Sequence, residues 1–205
     1  MIWRRYDRLA LYVAGFIPAL YLFYAAFSGW LGADPTRVLE HHLGLWALRF
    51  LIAALCVTPL RNHAGINLLR YRRAFGLLCF AYAALHFLTY VVLDQGLDLS
   101  AIWRDITRRW FITIGMAALL MLVPLTLTSN NAMIKRLGAR AWGQLHTLTY
   151  AIAVAVIVHY ILSVKSWPAE PLIYAAIVGA LLLYRIVRTL TKRWRPRPGP
   201  IPRPA

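Results

Sequence analysis

The sequence predicts an all-α protein, a six-helix transmembrane bundle with both termini cytoplasmic. Three observations carry this. Of the 205 residues, 60% are hydrophobic and the mean hydropathy is +0.58, whereas a soluble domain sits at about 45–50% apolar. The apolar residues come in blocks near the roughly 20 residues needed to cross about 30 Å of hydrocarbon. The basic residues fall between those blocks, mostly in alternate connections.

The first block, Leu9–Leu31, is too long for the apolar region of a signal peptide. No convincing small-residue cleavage site follows it, so it is expected to stay as the first span. The others are Leu43–Leu60, Ala74–Leu93, Trp110–Thr128, Trp142–Val164 and Pro171–Val187. The second is the shortest and carries Arg49. Pro18 and Pro124 lie inside spans, where neighbouring helices can satisfy the carbonyls they free.

The connections sort by charge. The N-terminus holds Arg4, Arg5 and Arg8, the second connection Arg61, Arg70, Arg72 and Arg73, and the fourth Lys135, Arg136 and Arg140. The C-terminal stretch adds Arg185, Arg188, Lys192, Arg193, Arg195, Arg197 and Arg203. The odd connections carry Arg37, Arg104, Arg108, Arg109 and Lys165. They also carry six of the seven acids, Asp34, Glu40, Asp94, Asp98, Asp105 and Glu170. The positive-inside rule then places both termini in the cytoplasm. A net charge of +16 would suit a nucleic-acid partner on a soluble face. Distributed between apolar blocks it points to membrane lipids, and no nucleic acid is expected. Residues 1–191 form one transmembrane domain. The Pro/Arg-rich residues 192–205 cannot bury a core and are expected to be a disordered cytoplasmic tail near anionic headgroups.

Three of the six histidines, His86, His146 and His159, lie within these spans. An ionisable group at membrane depth marks a functional site by default, and a neutral imidazole is a good axial ligand for heme iron held between facing helices. The alternative is that each histidine only hydrogen-bonds a neighbouring helix. His86 lies 13 residues beyond Arg73, and His159 lies 13 beyond His146, a rise of roughly 20 Å. His86 and His159 therefore sit at a similar outer level and His146 near the cytoplasmic face. Thirteen steps rotate a side chain by about 220°, so on an ideal helix His146 and His159 do not share a face. Either the fifth helix deviates locally or the two address different partners. His63 reads as a solvated loop residue, and His41 and His42 as a polar helix entrance or a surface near the cofactor. Trp142, Tyr90, Tyr150 and Tyr160 suit either heme packing or an interfacial aromatic belt.

Cys56 and Cys79 fall inside apolar blocks and read as small hydrophobes; no CxxCH or CxxC is present. No GxGxxG or other nucleotide-binding segment appears, and no paired carboxylates or nucleophile–base arrangement supports hydrolysis or group transfer.

The segments GADP (Gly32–Pro35), EHHLG (Glu40–Gly44), TPL (Thr58–Leu60), RRAFGLLCFAYAALH (Arg72–His86), LGARAWGQLHTLTY (Leu137–Tyr150) and HYILSVK (His159–Lys165) resemble the MsrQ, or YedZ, family. These are heme-binding membrane subunits of the periplasmic protein-methionine-sulfoxide reductase system, within the ferric-reductase-like transmembrane superfamily. The resemblance covers nearly the whole chain except the tail. It implies a six-helix, multi-pass protein of the cell inner membrane with heme b (one or two) and FMN as cofactors. It implies electrons drawn from quinol or a cytosolic flavin reductase and passed to the periplasmic molybdopterin subunit MsrP. The family's heme histidines correspond to His86, His146 and His159. Arg72 stands where the wider superfamily has a second histidine on the third helix. A guanidinium is a poor iron ligand, so Arg72 is a candidate partner for a heme propionate or a flavin phosphate, or else a positive-inside anchor. Lys165 and Ser163 are singled out as facing the periplasmic partner by the resemblance alone.

The expected function is thus an electron-transfer subunit of an oxidoreductase system rather than its catalytic subunit. The alternatives are a stand-alone ferric or cupric reductase, and a non-redox transporter or assembly protein.

Overall fold

The computed structural model describes residues 3–164, 166 and 168–194. Among them are eight α-helices and no strand. In chain order these are α1 (Trp3–Phe27), α2 (Pro35–His63), α3 (Arg72–Thr89), α4 (Leu99–Arg108), α5 (Trp110–Leu127), α6 (Asn131–Leu145), α7 (Leu148–Ser163) and α8 (Ala169–Trp194). A π-turn, Tyr90–Asp94, prolongs α3.

Five stretches are long and apolar enough to cross a membrane: Tyr6–Phe27, Pro35–His63, Leu69–Asp94, Trp110–Leu127 and Ala169–Thr191. The pair α6–α7, bent by 42° at its break, makes a sixth when the two are counted as one broken span. The fifth span, expected as one helix from Trp142 to Val164, is therefore broken. Its first residues belong to α6, and His146 sits at the break. Around it the backbone tightens, with Thr147 N–H donating to Gln144 O (3.0 Å) and Tyr150 N–H to Thr147 O (3.0 Å). These three-residue bonds are the tighter turn found at helix ends. The fifth span thus deviates locally between His146 and His159.

Two other differences from the sequence reading have local causes. α2 starts at Pro35, eight residues earlier than its apolar block. Asp34 caps it by accepting from Arg37 N–H at 3.1 Å, with Pro35 in the first turn, where the ring costs no hydrogen bond. α4 lies in what reads as a charged connection. It is only 10 residues long, too short for its periodicity to stand out. Asp98 caps it by accepting from Ser100 N–H (2.9 Å) and Ala101 N–H (3.0 Å). The Ser100 hydroxyl, and then these amides, hold the Asp98 carboxyl below its ordinary range. Leu99 and Trp103 on α4 are exposed, while Ile102 turns into the protein.

The interior is built on α2, which contributes Leu39, Leu43, Leu48, Leu51, Leu55 and Val57 and packs mainly against Leu78 and Tyr82 of α3. The outward faces of the other spans stay apolar, with Leu20, Phe27, Leu120 and Leu183 exposed, as expected of helices solvated by lipid. Tyr82 is fully buried and does more than fill space. Its hydroxyl accepts from Ala19 N–H (3.0 Å) and donates to Gly15 O (2.6 Å), bridging a backbone donor and acceptor of α1 beside Pro18. Arg49, half-buried in α2, lies over the Trp46 ring at 4.9 Å and donates to the Tyr174 hydroxyl at 2.9 Å. A span carrying a guanidinium is satisfied in this way.

α8 continues to Trp194. The remainder of the Pro/Arg-rich stretch, from Arg195 on, lies outside the described residues, as does Lys165.

Candidate functional site: two polar levels in the bundle

The connections rich in arginine lie at one end of the bundle, and six of the seven acids lie in the connections at the other. Near the acidic end α3 presents His86 and α7 presents His159. Their ring centres are 6.2 Å apart and the rings nearly perpendicular, at 83°. The two helices are not packed on one another. α3 rests chiefly on α2, and α7 on α5, with a smaller contact between α3 and α5, so the two imidazoles come from different helix pairs.

Each ring is held in the same way. His86 Nδ1 donates to Glu40 O on α2 at 2.8 Å, and His159 Nδ1 donates to Phe111 O on α5 at 2.7 Å. Four residues beyond each accepting carbonyl stands a glycine, Gly44 after Glu40 and Gly115 after Phe111. A β-carbon at Gly44 would come 3.3 Å from His86 Nδ1, and one at Gly115 would come 2.8 Å from the His159 ring. In a helix, residue i+4 lies over the carbonyl of residue i. A ring can reach that carbonyl from outside only where this position is bare. The two glycines are thus seats for the two histidines.

The Nδ1–H bond fixes the tautomer and leaves the Nε2 lone pair for a ligand. Nε2 of neither ring has a hydrogen-bond partner among the described residues. Two imidazoles on opposite faces of one metal ion, each bound through a nitrogen at about 2 Å, have ring centres about 6 Å apart. The spacing, the two Nε2 atoms left without a partner among the described residues and the paired seats fit an iron porphyrin.

At the arginine-rich end, His146 lies beneath Trp142, with ring centres 3.9 Å apart and planes at 26°. His146 Nε2 is 3.2 Å from the Thr128 hydroxyl, and Trp142 Nε1–H donates to Thr128 O at 2.9 Å. Arg72 and Arg73 are the charged neighbours of this imidazole. Arg73 donates to Asn131 at 2.8 Å, while Arg72 adjoins Tyr150 and Arg185. The structure therefore brings His86 and His159 together, and places His146 and Arg72 together at a separate level.

The remaining aromatic candidates are committed elsewhere. Tyr90 donates to Asp105 (3.2 Å), Tyr160 to Glu170 (3.1 Å), and Tyr150 accepts from Arg185 (2.9 Å). His41 is exposed, 3.7 Å from Glu170, and stands with Tyr160 at the acidic rim above the histidine pair. His63 is exposed beside Tyr184. No site role is read from the sequence for Gly44, Gly115, Thr128 or Arg185. Only the two glycines left a trace, as bare positions inside otherwise bulky apolar spans.

The ferric reductase like transmembrane component family matches residues 43–158 of the chain. The protein-methionine-sulfoxide reductase heme-binding subunits MsrQ of Brucella ovis, Brucella canis and Brucella suis are each 61% identical to it over 186 residues. That covers 91% of this chain and 84% of theirs. No solved structure is a significant match. The chain is a multi-span membrane protein and belongs to the ferric reductase like transmembrane family, within the group of MsrQ heme-binding subunits.

Proposed function

We propose that the protein is a heme b membrane electron-transfer subunit of a methionine sulfoxide reductase system. It passes electrons from quinol or a cytosolic flavin reductase across the inner membrane to the periplasmic molybdopterin subunit MsrP, which repairs oxidised periplasmic proteins. The observation that carries this reading is the His86–His159 pair, two seated imidazoles at one depth with both Nε2 atoms free. The relatives' name, heme-binding subunit, supports it. The charge asymmetry of the connections supports an orientation with both termini cytoplasmic, so that the pair lies toward the periplasm.

In this reading His86 and His159 hold the iron of the outer heme, and His146 serves a second cofactor, a further heme or FMN, at the inner level. Arg72 meets a heme propionate or a flavin phosphate. A bound heme b supplies one-electron transfer, its potential set by its axial ligands and burial. The protein's share is positional. The Glu40 and Phe111 carbonyls hold each imidazole in the Nδ1–H tautomer, Gly44 and Gly115 set how closely each ring approaches its helix, and the surrounding apolar spans exclude water. The acidic rim of Glu170, His41 and Tyr160 is the surface through which electrons leave to the partner.

The deciding experiment combines a hemochrome assay and flavin quantification on the pure protein with reconstitution alongside MsrP. A Soret band and reduction of MsrP are expected. A colourless preparation after heme-replete expression overturns the redox reading in favour of a transporter or assembly protein. Rapid reduction of ferric or cupric chelates with MsrP left oxidised replaces the proposed partner with a stand-alone metalloreductase activity.

A further inference from the structure

The angle between the His86 and His159 rings belongs to the bundle, not to either helix alone. Each ring is tied through Nδ1 to a carbonyl of the helix beside it, Glu40 O on α2 and Phe111 O on α5. The 6.2 Å separation and 83° angle of the rings therefore follow from how the α2–α3 pair stands against the α5–α7 pair. α3 and α5 meet over a smaller contact than either makes within its own pair. Rings so mounted need a further tie near the site if they are to keep one spacing and one angle.

Asp105 of α4 supplies that tie. Its Oδ2 accepts from the Tyr90 hydroxyl at 3.2 Å, and its Oδ1 faces Arg109 Nε at 3.1 Å. Tyr90 is buried, one helical turn beyond His86, and its N–H donates to His86 O. Arg109 caps α5 two residues before Phe111, and its N–H donates to Asp105 O at 2.9 Å. One carboxylate thus reaches within a turn of both halves of the histidine pair. Among the described residues the Tyr90–Asp105 bond is the only side-chain hydrogen bond between α3 with its π-turn and the α4–α5 segment. The Asp105 side chain is 16% exposed, so its charged bonds are better shielded than those of a surface pair.

We propose that Asp105 is a positioning residue: by joining Tyr90 to Arg109 it sets the separation and mutual angle of the His86 and His159 rings. It touches neither ring. Each of its oxygens is engaged by a different partner, one on either side of the boundary between the helix pairs. The consequence for the iron rests on the heme reading proposed above, whereas the tie is a property of the chain itself.

The test uses full-length protein in nanodiscs and the EPR spectrum of its ferric heme. Near-perpendicular imidazole planes on one iron give a strongly anisotropic low-spin signal, and near-parallel planes a rhombic one. Wild type is expected to give the anisotropic signal. Tyr90→Phe cuts the bond between the pairs alone, and Asp105→Ala cuts both bonds. Each should keep its heme but exchange the single anisotropic signal for a broader, less anisotropic one. The double variant should go no further than Asp105→Ala, because the two residues share one link. Asp105→Glu should recover part of the wild-type signal. Asp98→Ala, which removes only the α4 cap, should keep it, separating the tie from a general loosening of α4. A rhombic wild-type signal overturns the proposal. So does an unchanged signal in both Tyr90→Phe and Asp105→Ala, even if their thermal midpoints fall.

A second readout needs no heme. Spin labels at Leu88→Cys on α3 and Leu162→Cys on α7, both exposed, are placed in a chain with Cys56→Ala and Cys79→Ala. Their distance distribution by pulsed EPR should broaden in Tyr90→Phe and Asp105→Ala. A variant that loses heme is judged by this distribution, and an unbroadened one overturns the tie. If wild type is itself colourless, the heme reading fails and the label distances alone decide on Asp105.

Discussion

Gly115 lies one helical turn beyond Phe111, and a β-carbon there would stand 2.8 Å from the His159 ring, which is bonded to the Phe111 carbonyl at 2.7 Å. The absence of a side chain and the presence of the hydrogen bond are one fact, because the ring occupies the space the side chain would need. Gly44 and His86 repeat it on the other helix pair, with a looser contact of 3.3 Å.

Gly115→Ala should therefore push the His159 ring off its seat, at a cost of about 1–3 kcal/mol as in other overpacked sites. Heme content per protein should fall. Gly44→Ala should do the same to a smaller extent, since its neighbour has to give by only a few tenths of an ångström. Gly143→Ala and Gly179→Ala, with nothing within 4 Å, are the controls and should bind heme as wild type does. Equal heme content in all four variants would refute the seats.

His86→Ala and His159→Ala should each abolish the outer heme, because each imidazole is seated on its own helix pair and cannot take the place of the other. His146→Ala should give a smaller or separate spectral loss, its level being distinct. The check is the reduced-minus-oxidised spectrum with quantified heme and flavin. Full heme retention in His86→Ala or His159→Ala would overturn the ligand assignment.

Tyr82→Phe tests the bridge in α1. Removing the hydroxyl leaves Ala19 N–H and Gly15 O to find each other across a helix already interrupted by Pro18. A loss of about 1 kcal/mol is expected, typical of a side-chain hydrogen bond in a membrane protein. It should appear as a lower thermal midpoint in detergent with heme content unchanged. An unmoved midpoint would mean that the backbone closes by itself.

Asp98 gives a pH dependence. Its carboxyl titrates below the ordinary value in the folded chain, first because of the Ser100 hydroxyl. Its support of α4 is thus present above the unfolded value of about 4 and is lost as pH falls through the lower folded one. The protection of the Ser100 and Ala101 amides against exchange, taken relative to the intrinsic rate at each pH, should fall on acidification. Asp98→Ala should show the low protection at every pH, and a wild type whose protection does not fall would exclude the cap as the cause.

The sequence by itself determined the class of molecule and the depth of its key groups. Burying an apolar block in lipid depends on composition and length, and depth along a helix depends on residue count. Both are readable without coordinates, so the membrane-spanning helical bundle and the common level of His86 and His159 were legible. Which side chains meet sideways was decided only by tertiary structure. The break at His146 arises where turn bonds replace helical ones. The glycine seats exist because α2 and α5 run beside α3 and α7. Lateral neighbours are set by how the helices pack, and apolar periodicity within one span carries no record of that.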